Sequence, residues 1–112
     1  MQIVERSAGN VTILDLSGQI TFTEGDQLLK DKVNSLVHQG RKHLLVNLAN
    51  VTHMDSAGLG ELVGAYTTVS KAGGSMKLLN LTKRLHDLLA ITKLLTIFDT
   101  FESEQDALKQ FS

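Results

Sequence analysis

Apolar residues along this chain recur at two different spacings. Residues 11–16 are mostly β-branched or aliphatic, which is typical of a strand. Residues 44–48 form a nearly continuous apolar run, which is typical of a strand covered on both faces. Between them, apolar side chains recur at i, i+4, i+7 and i+8 in Leu29, Val33, Leu36 and Val37. That spacing predicts one buried face of a helix. Thr23 with Asp26 nearly forms a capping box before this helix, and Gly40 ends it.

The same two spacings continue to the end of the chain. Further strands are predicted at residues 2–6, 76–81 and 96–101. A second helix is predicted from Leu59, Leu62, Val63, Tyr66 and Val69, which recur with helical spacing up to Gly73 and Gly74. Thr82 and Ser103 can cap two more helices. Gly9 and Asn10 predict a tight turn between the first two strands, paired antiparallel, and the later alternation of strand and helix predicts an α/β fold with parallel strands.

Composition narrows the class of protein. The 112 residues suit one domain, 1–112, and 42% apolar with 21% charged residues is ordinary for a globular protein. A formal net charge of −1 gives no basis for direct nucleic-acid or anionic-membrane binding. There is no cysteine, and we find neither a signal peptide nor an apolar run of about 20 residues. We therefore expect a cytoplasmic protein without a disulfide or a Cys-type zinc site.

Residues 51–60, Val-Thr-His-Met-Asp-Ser-Ala-Gly-Leu-Gly, carry the most chemical information. They leave a buried strand and enter a helix, so either Asp55 or Ser56 is expected at the N-cap. Simple capping would explain both residues. However, Gly58, Gly60 and Gly64 each cost a helix about 1 kcal/mol relative to alanine, which suggests that a neighbouring element or a partner approaches the backbone. A phosphate on Ser56 would face the positive end of the helix dipole and would change any docking surface there.

Other interpretations of this segment have less support. The spacing of Gly58, Gly60 and Gly64 differs by one residue from the fingerprint of a dinucleotide-binding site. The nucleophile elbow of a serine hydrolase would need a glycine in place of Met54. His53 is near enough in sequence to serve Ser56 as a base, which leaves a small enzyme as a remote alternative. His38 and His43 flank the Gly40 turn and are expected to be solvated, and no metal-ligand spacing is present. Lys83 and Arg84 oppose the dipole of their helix and could contact a partner.

Residues 54–60, Met-Asp-Ser-Ala-Gly-Leu-Gly, resemble the signature of STAS domains, especially bacterial anti-sigma factor antagonists. The resemblance extends over residues 14–18, 44–48 and 73–79, so it covers essentially the whole chain. It implies the STAS fold: a mixed, mostly parallel sheet of four to five strands with about four helices packed mainly on one side.

The resemblance also implies a function in transcription regulation. The unphosphorylated protein would bind an anti-sigma factor that is itself a serine kinase of the histidine-kinase-like ATPase fold, and thereby release a sigma factor. Phosphorylation of Ser56 would end the binding, and a phosphoserine phosphatase would restore it. The implied partner-binding residues are Asp55, Ser56, Ala57, Gly58 and Gly60. No enzymatic activity, cofactor or metal is implied.

Two positions depart from the family pattern. Thr21 stands where many antagonists carry an aspartate close to the phosphorylated serine, and Ala57 stands where a second serine is common. These departures keep a second role open, in which the domain is a non-switching scaffold subunit of a stress-signalling or membrane-transport complex and Ser56 is a helix cap.

Overall fold

The described residues form one five-stranded sheet with four α-helices. The structure is a computed structural model that describes residues 1–21 and 26–111. The strands are β1 Gln2–Ala8, β2 Val11–Ile20, β3 His43–Met54, β4 Ser75–Leu79 and β5 Thr100–Phe101. The helices are α1 Asp26–His38, α2 Ser56–Lys71, α3 Lys83–Ile91 and α4 Glu104–Lys109. Thr23, in the predicted capping box, lies outside the described residues.

The sheet follows the order of the chain, β1-β2-β3-β4-β5. β1 pairs antiparallel with β2, as the Gly9-Asn10 turn predicts, and β2, β3, β4 and β5 pair in parallel. Each parallel pair is joined by a helix, because parallel neighbours need a crossover connection. The predicted mixed, mostly parallel sheet is therefore confirmed.

The helices divide unequally between the two faces of the sheet. α1, α2 and α3 pack on one face around a core that includes Val33, Leu62 and Leu85. α4 packs on the other face, where Ala107 and Phe111 meet Ile13 and Leu45. The expectation of helices mainly on one side is confirmed. Among the described residues, no helix has the length and apolar character needed to cross a membrane.

Two predicted strands are shorter than the observed ones. β2 and β3 pair over most of their length, up to Ile20 opposite Met54, although the sequence patterns end at residues 16 and 48. The pairing of β2 with β3 shifts its register twice, and one shift lies just after Gly18. Pairing resumes after each shift, so β2 continues to Ile20. Gly18 has a φ of 96°, which glycine adopts without a steric cost. The longer strands bring the ends of β2 and β3 together beside the start of α2.

The prediction of a last strand over residues 96–101 is mostly wrong. Leu95–Ile97 form a 3₁₀ turn, and only Thr100 and Phe101 pair with β4. Phe98 instead packs into the core on the helical face, edge-on to Tyr66 with 5.2 Å between ring centroids. The apolar run in this segment serves that packing, which local spacing does not distinguish from a buried strand.

Candidate functional site

The candidate site is the junction between β3 and α2. β3 ends at Met54, α2 begins at Ser56, and Asp55 alone lies between them. Asp55 has extended backbone angles, and its Oδ1 accepts a hydrogen bond of 2.9 Å from the N–H of Gly58. Its own carbonyl accepts the N–H of Leu59 at 2.9 Å. Of the two predicted N-cap residues, Asp55 is therefore the cap, and Ser56 is the first residue of the helix.

Ser56 is exposed at the surface of this junction. Within the described residues no hydrogen bond involves its hydroxyl group, and the capping bond is made by Asp55. The first N–H groups of an α-helix have no intrahelical acceptor and form the positive end of its dipole. α2 has no acidic side chain in its first turn. The Ser56 hydroxyl is thus exposed at the positive end of the α2 dipole, where the Asp55 carboxylate already supplies one negative group.

Gly58 is buried, and the protein has no space for a side chain at this position. A Cβ added there would lie 1.8 Å from the carbonyl oxygen of Ile20, at the end of β2. Such a distance is far below any van der Waals contact. The close approach expected at the glycines of α2 is therefore made, at Gly58, by a neighbouring strand.

Gly60 and Gly64 are different, because a Cβ added at either would meet no atom within 4 Å. Gly60 lies about one turn and Gly64 about two turns after Ser56, and both are exposed. They form part of a cavity of about 170 Å³ between α1 and α2, whose polar lining includes Lys30, Asn34 and Glu61. Packing within the described residues gives no reason for glycine at these two positions.

Thr21 lies at the edge of the same junction. Ile20 is opposite Met54 in the β2–β3 register, so Thr21 follows β2 at the level where Asp55 follows β3. Thr21 is only 6% exposed. A buried neutral side chain therefore lies at the end of β2, level with Asp55.

The histidines form no common site. His53, three residues before Ser56, is exposed. His43 is half-buried, contrary to expectation, because its Nδ1 lies 3.1 Å from the Ser75 hydroxyl and its ring meets Phe111 edge-on. In the part of the chain that the structure describes, no group of three or more His, Cys, Asp or Glu side chains could hold a metal ion.

One surface beside the junction was missed by sequence reasoning. An open groove of about 580 Å³ extends from the end of β3 to α3. Met54, Leu88 and Ile91 form its apolar part, and its polar residues are His53, Lys83, Arg84 and Asp87. We call it the α3 groove. One sequence signal pointed to it, the Lys83-Arg84 pair at the start of α3.

Comparison with proteins of known sequence reveals clear relatives. The chain is 46% identical over 86 residues to the anti-sigma-B factor antagonist of Bacillus subtilis (strain 168), an alignment that covers 77% of each protein. It is 27% identical to the anti-sigma F factor antagonist of Paenibacillus polymyxa over 110 residues, 98% of this chain and 94% of the relative.

Solved structures agree with the fold. The phosphorylated form of the Bacillus cell fate determinant SpoIIAA superposes with a TM-score of 0.77 at 17% identity, over 99% of this chain and 100% of that protein. The STAS domain family matches residues 2–107, from β1 into α4. Because this match spans nearly the whole chain and the sequence relatives agree with it, the chain belongs to the STAS domain family and groups with its anti-sigma factor antagonists.

Proposed function

We propose that this protein is an anti-sigma factor antagonist that is switched by phosphorylation of Ser56. The unphosphorylated protein binds an anti-sigma factor, which releases a sigma factor, and phosphate on Ser56 ends that binding. The observation that carries the proposal is the Ser56 hydroxyl, exposed at the first residue of α2 directly after the Asp55 cap. The protein acts in this scheme as a binding partner and not as a catalyst.

The chemistry of the junction supports a phosphate-controlled switch. Phosphorylation adds about −1.5 to −2 charge and three strong acceptor oxygens. Asp55 already caps α2 through Gly58, so the helix can remain folded while the phosphate changes the surface outside it. Because Ser56 is exposed, the added charge would directly oppose a partner that had docked on the neutral form.

The relatives support the identity of the partner. The Bacillus subtilis relative is named for its antagonism of an anti-sigma-B factor, and the fold neighbour SpoIIAA exists in a phosphorylated form. For this chain we propose an anti-sigma factor that is also a serine kinase of the histidine-kinase-like ATPase fold, together with a phosphoserine phosphatase that resets Ser56. The partner-binding surface includes Asp55, Ser56, Ala57 and Gly60, and Gly58 contributes by fixing the start of α2 against Ile20.

The test uses the purified anti-sigma-B factor of Bacillus subtilis as the probe, with affinity measured by isothermal titration calorimetry. Wild type and Ser56→Ala are expected to bind, and Ser56→Asp to bind at least about tenfold more weakly, a change of about 1.4 kcal/mol. Ser70→Asp is the matched control, because Ser70 is an exposed serine in the last turn of the same helix. Incubation of wild type with the probe and ATP should place phosphate on Ser56, as read by peptide mass spectrometry.

Two results would contradict this function. Equal affinities of Ser56→Asp and Ser56→Ala for the probe would remove the switch and favour the non-switching scaffold role. Phosphate found on another residue, with Ser56 unmodified, would remove Ser56 as the acceptor.

A further inference from the structure

The α3 groove contains a large apolar side chain that folding leaves uncovered. Ile91, the last residue of α3, is 80% exposed, more than Val4, Leu28 or Ile97, the other exposed large apolar residues described. Leu88, one turn earlier, is half-buried, and Met54 is nearly fully buried beside them. Burying an isoleucine side chain stabilises a protein or a complex through the hydrophobic effect. The groove therefore offers a partner an apolar contact that the isolated chain does not use.

The charges along the groove are also unfavourable for the isolated chain. Lys83 and Arg84 are the first two residues of α3, and its first turn has no acidic residue. Cations at a helix N-terminus are destabilising because they oppose the positive end of the dipole. For Lys83, an ion pair with Asp87 offsets part of this unfavourable interaction; Lys83 Nζ lies 3.0 Å from Asp87 Oδ2. Among the described residues Arg84 has no ion pair, so its guanidinium can bind a carboxylate from outside, often with two hydrogen bonds.

We propose that the α3 groove binds a segment of the anti-sigma factor partner in which an aliphatic side chain stands next to a carboxylate. The aliphatic group covers Met54, Leu88 and Ile91, and the carboxylate pairs with Arg84. This inference rests on the proposed function, because the occupant is the same partner protein. His53 and Met54 line the groove and directly precede Asp55, so the groove begins beside the junction and one protein can contact both.

A protein segment fits this groove better than a membrane surface does. Stable binding to anionic lipid takes clusters of about four to eight basic residues. The groove has two lysine or arginine residues, one already paired with Asp87, and the chain has a net charge of −1. One unpaired guanidinium beside an apolar floor matches a short acidic and aliphatic peptide stretch.

The experiment measures affinity for the purified Bacillus subtilis anti-sigma-B factor with the full chain and matched variants. Arg84→Glu should weaken binding at least about tenfold and Ile91→Ser about fivefold, fold-changes within the range of interface residues. Lys109→Glu on α4 is the matched charge control, and Val4→Ser on β1 is the matched apolar control. Both controls should bind within about twofold of wild type. All four side chains are exposed, so the variants should keep the wild-type circular dichroism spectrum.

The outcomes separate this inference from the proposed function. If Arg84→Glu and Ile91→Ser bind like wild type while Ser56→Asp loses affinity, the groove inference is overturned and the switch stands. If wild type does not bind the probe, the proposed function is overturned together with this inference. Sedimentation with phosphatidylserine vesicles that is lost in Arg84→Glu would assign the groove to a membrane and would also overturn it.

Discussion

Gly58 and Ile20 touch through their main chains at the point where β2 ends and α2 begins. A Cβ on Gly58 would lie 1.8 Å from the carbonyl oxygen of Ile20 and 2.6 Å from its carbonyl carbon. Ile20 is also opposite Met54 in the sheet. The first turn of α2 is therefore held against the ends of two strands, and this contact fixes where Ser56 is exposed.

Gly58→Ala is expected to lower the free energy of unfolding by about 1–3 kcal/mol or more. The methyl group would meet backbone atoms of Ile20, which cannot move aside as a flexible side chain can, so α2 or β2 must shift. Urea denaturation followed by circular dichroism measures the change. The same shift should weaken binding to an anti-sigma factor, because Ser56 moves with the helix.

Gly60→Ala and Gly64→Ala are the controls for that variant. A Cβ at either position enters open space, and alanine favours a helix over glycine by about 1 kcal/mol. Each control should therefore be as stable as wild type or more stable. A Gly58→Ala variant that gained stability like Gly60→Ala would contradict the contact between Gly58 and Ile20.

Asp55→Ala should destabilise the protein by about 1 kcal/mol, within a range of about 0.5–2 kcal/mol, because it removes the acceptor for the Gly58 N–H. Asp55→Asn is the matched control, since asparagine is an equally good N-cap residue and keeps an oxygen in place. Thermal unfolding followed by calorimetry compares the two. An equal loss in both variants would show that the charge of Asp55, and not its capping bond, stabilises the junction.

Much of the fold follows from sequence because the helices and strands have distinct apolar spacings. The helix through Val33 and Leu36, the Thr82 cap of α3 and the Gly9-Asn10 turn depend on local interactions and were predicted. Phe98 was placed in a strand because its neighbours are apolar, and only the position of Tyr66 across the core explains its actual packing.

The site was predicted less completely than the fold. The N-cap was predicted at Asp55 or Ser56 because a strand followed by a cap residue is a local pattern, and the structure assigns it to Asp55. The role of Ser56 as phosphate acceptor stays a prediction. The sequence also showed that glycines in α2 need an explanation, but not which glycine meets a neighbour. Only the tertiary structure separates Gly58, which is against Ile20, from Gly60, which is in open space. Likewise the sequence analysis assigned no role to Ile91, and its exposure depends on what the rest of the chain leaves uncovered.

The pairing of Arg6 with Asp15 predicts a pH dependence of stability. Arg6 Nε donates to Asp15 Oδ2 at 2.6 Å, and Arg6 also pairs with Glu104 of α4, so these contacts link β1, β2 and α4. The hydrogen bond from Arg6 is the largest effect on the pKa of Asp15; together with a bond from Asn47 it lowers that pKa below the ordinary value, against the opposing effect of burial.

Because the folded protein holds this proton less tightly than the unfolded chain, the ionised Asp15 contributes stability above about pH 4, and the contribution is lost as pH falls through the lowered pKa. Asp15→Asn should therefore be less stable than wild type near pH 7, and the difference should shrink as the pH falls below about 4. Urea unfolding of both proteins over this pH range measures the difference. A difference that stayed constant with pH would mean that Asp15 stabilises the sheet through the geometry of its hydrogen bonds with Arg6 and Asn47, and not through its charge.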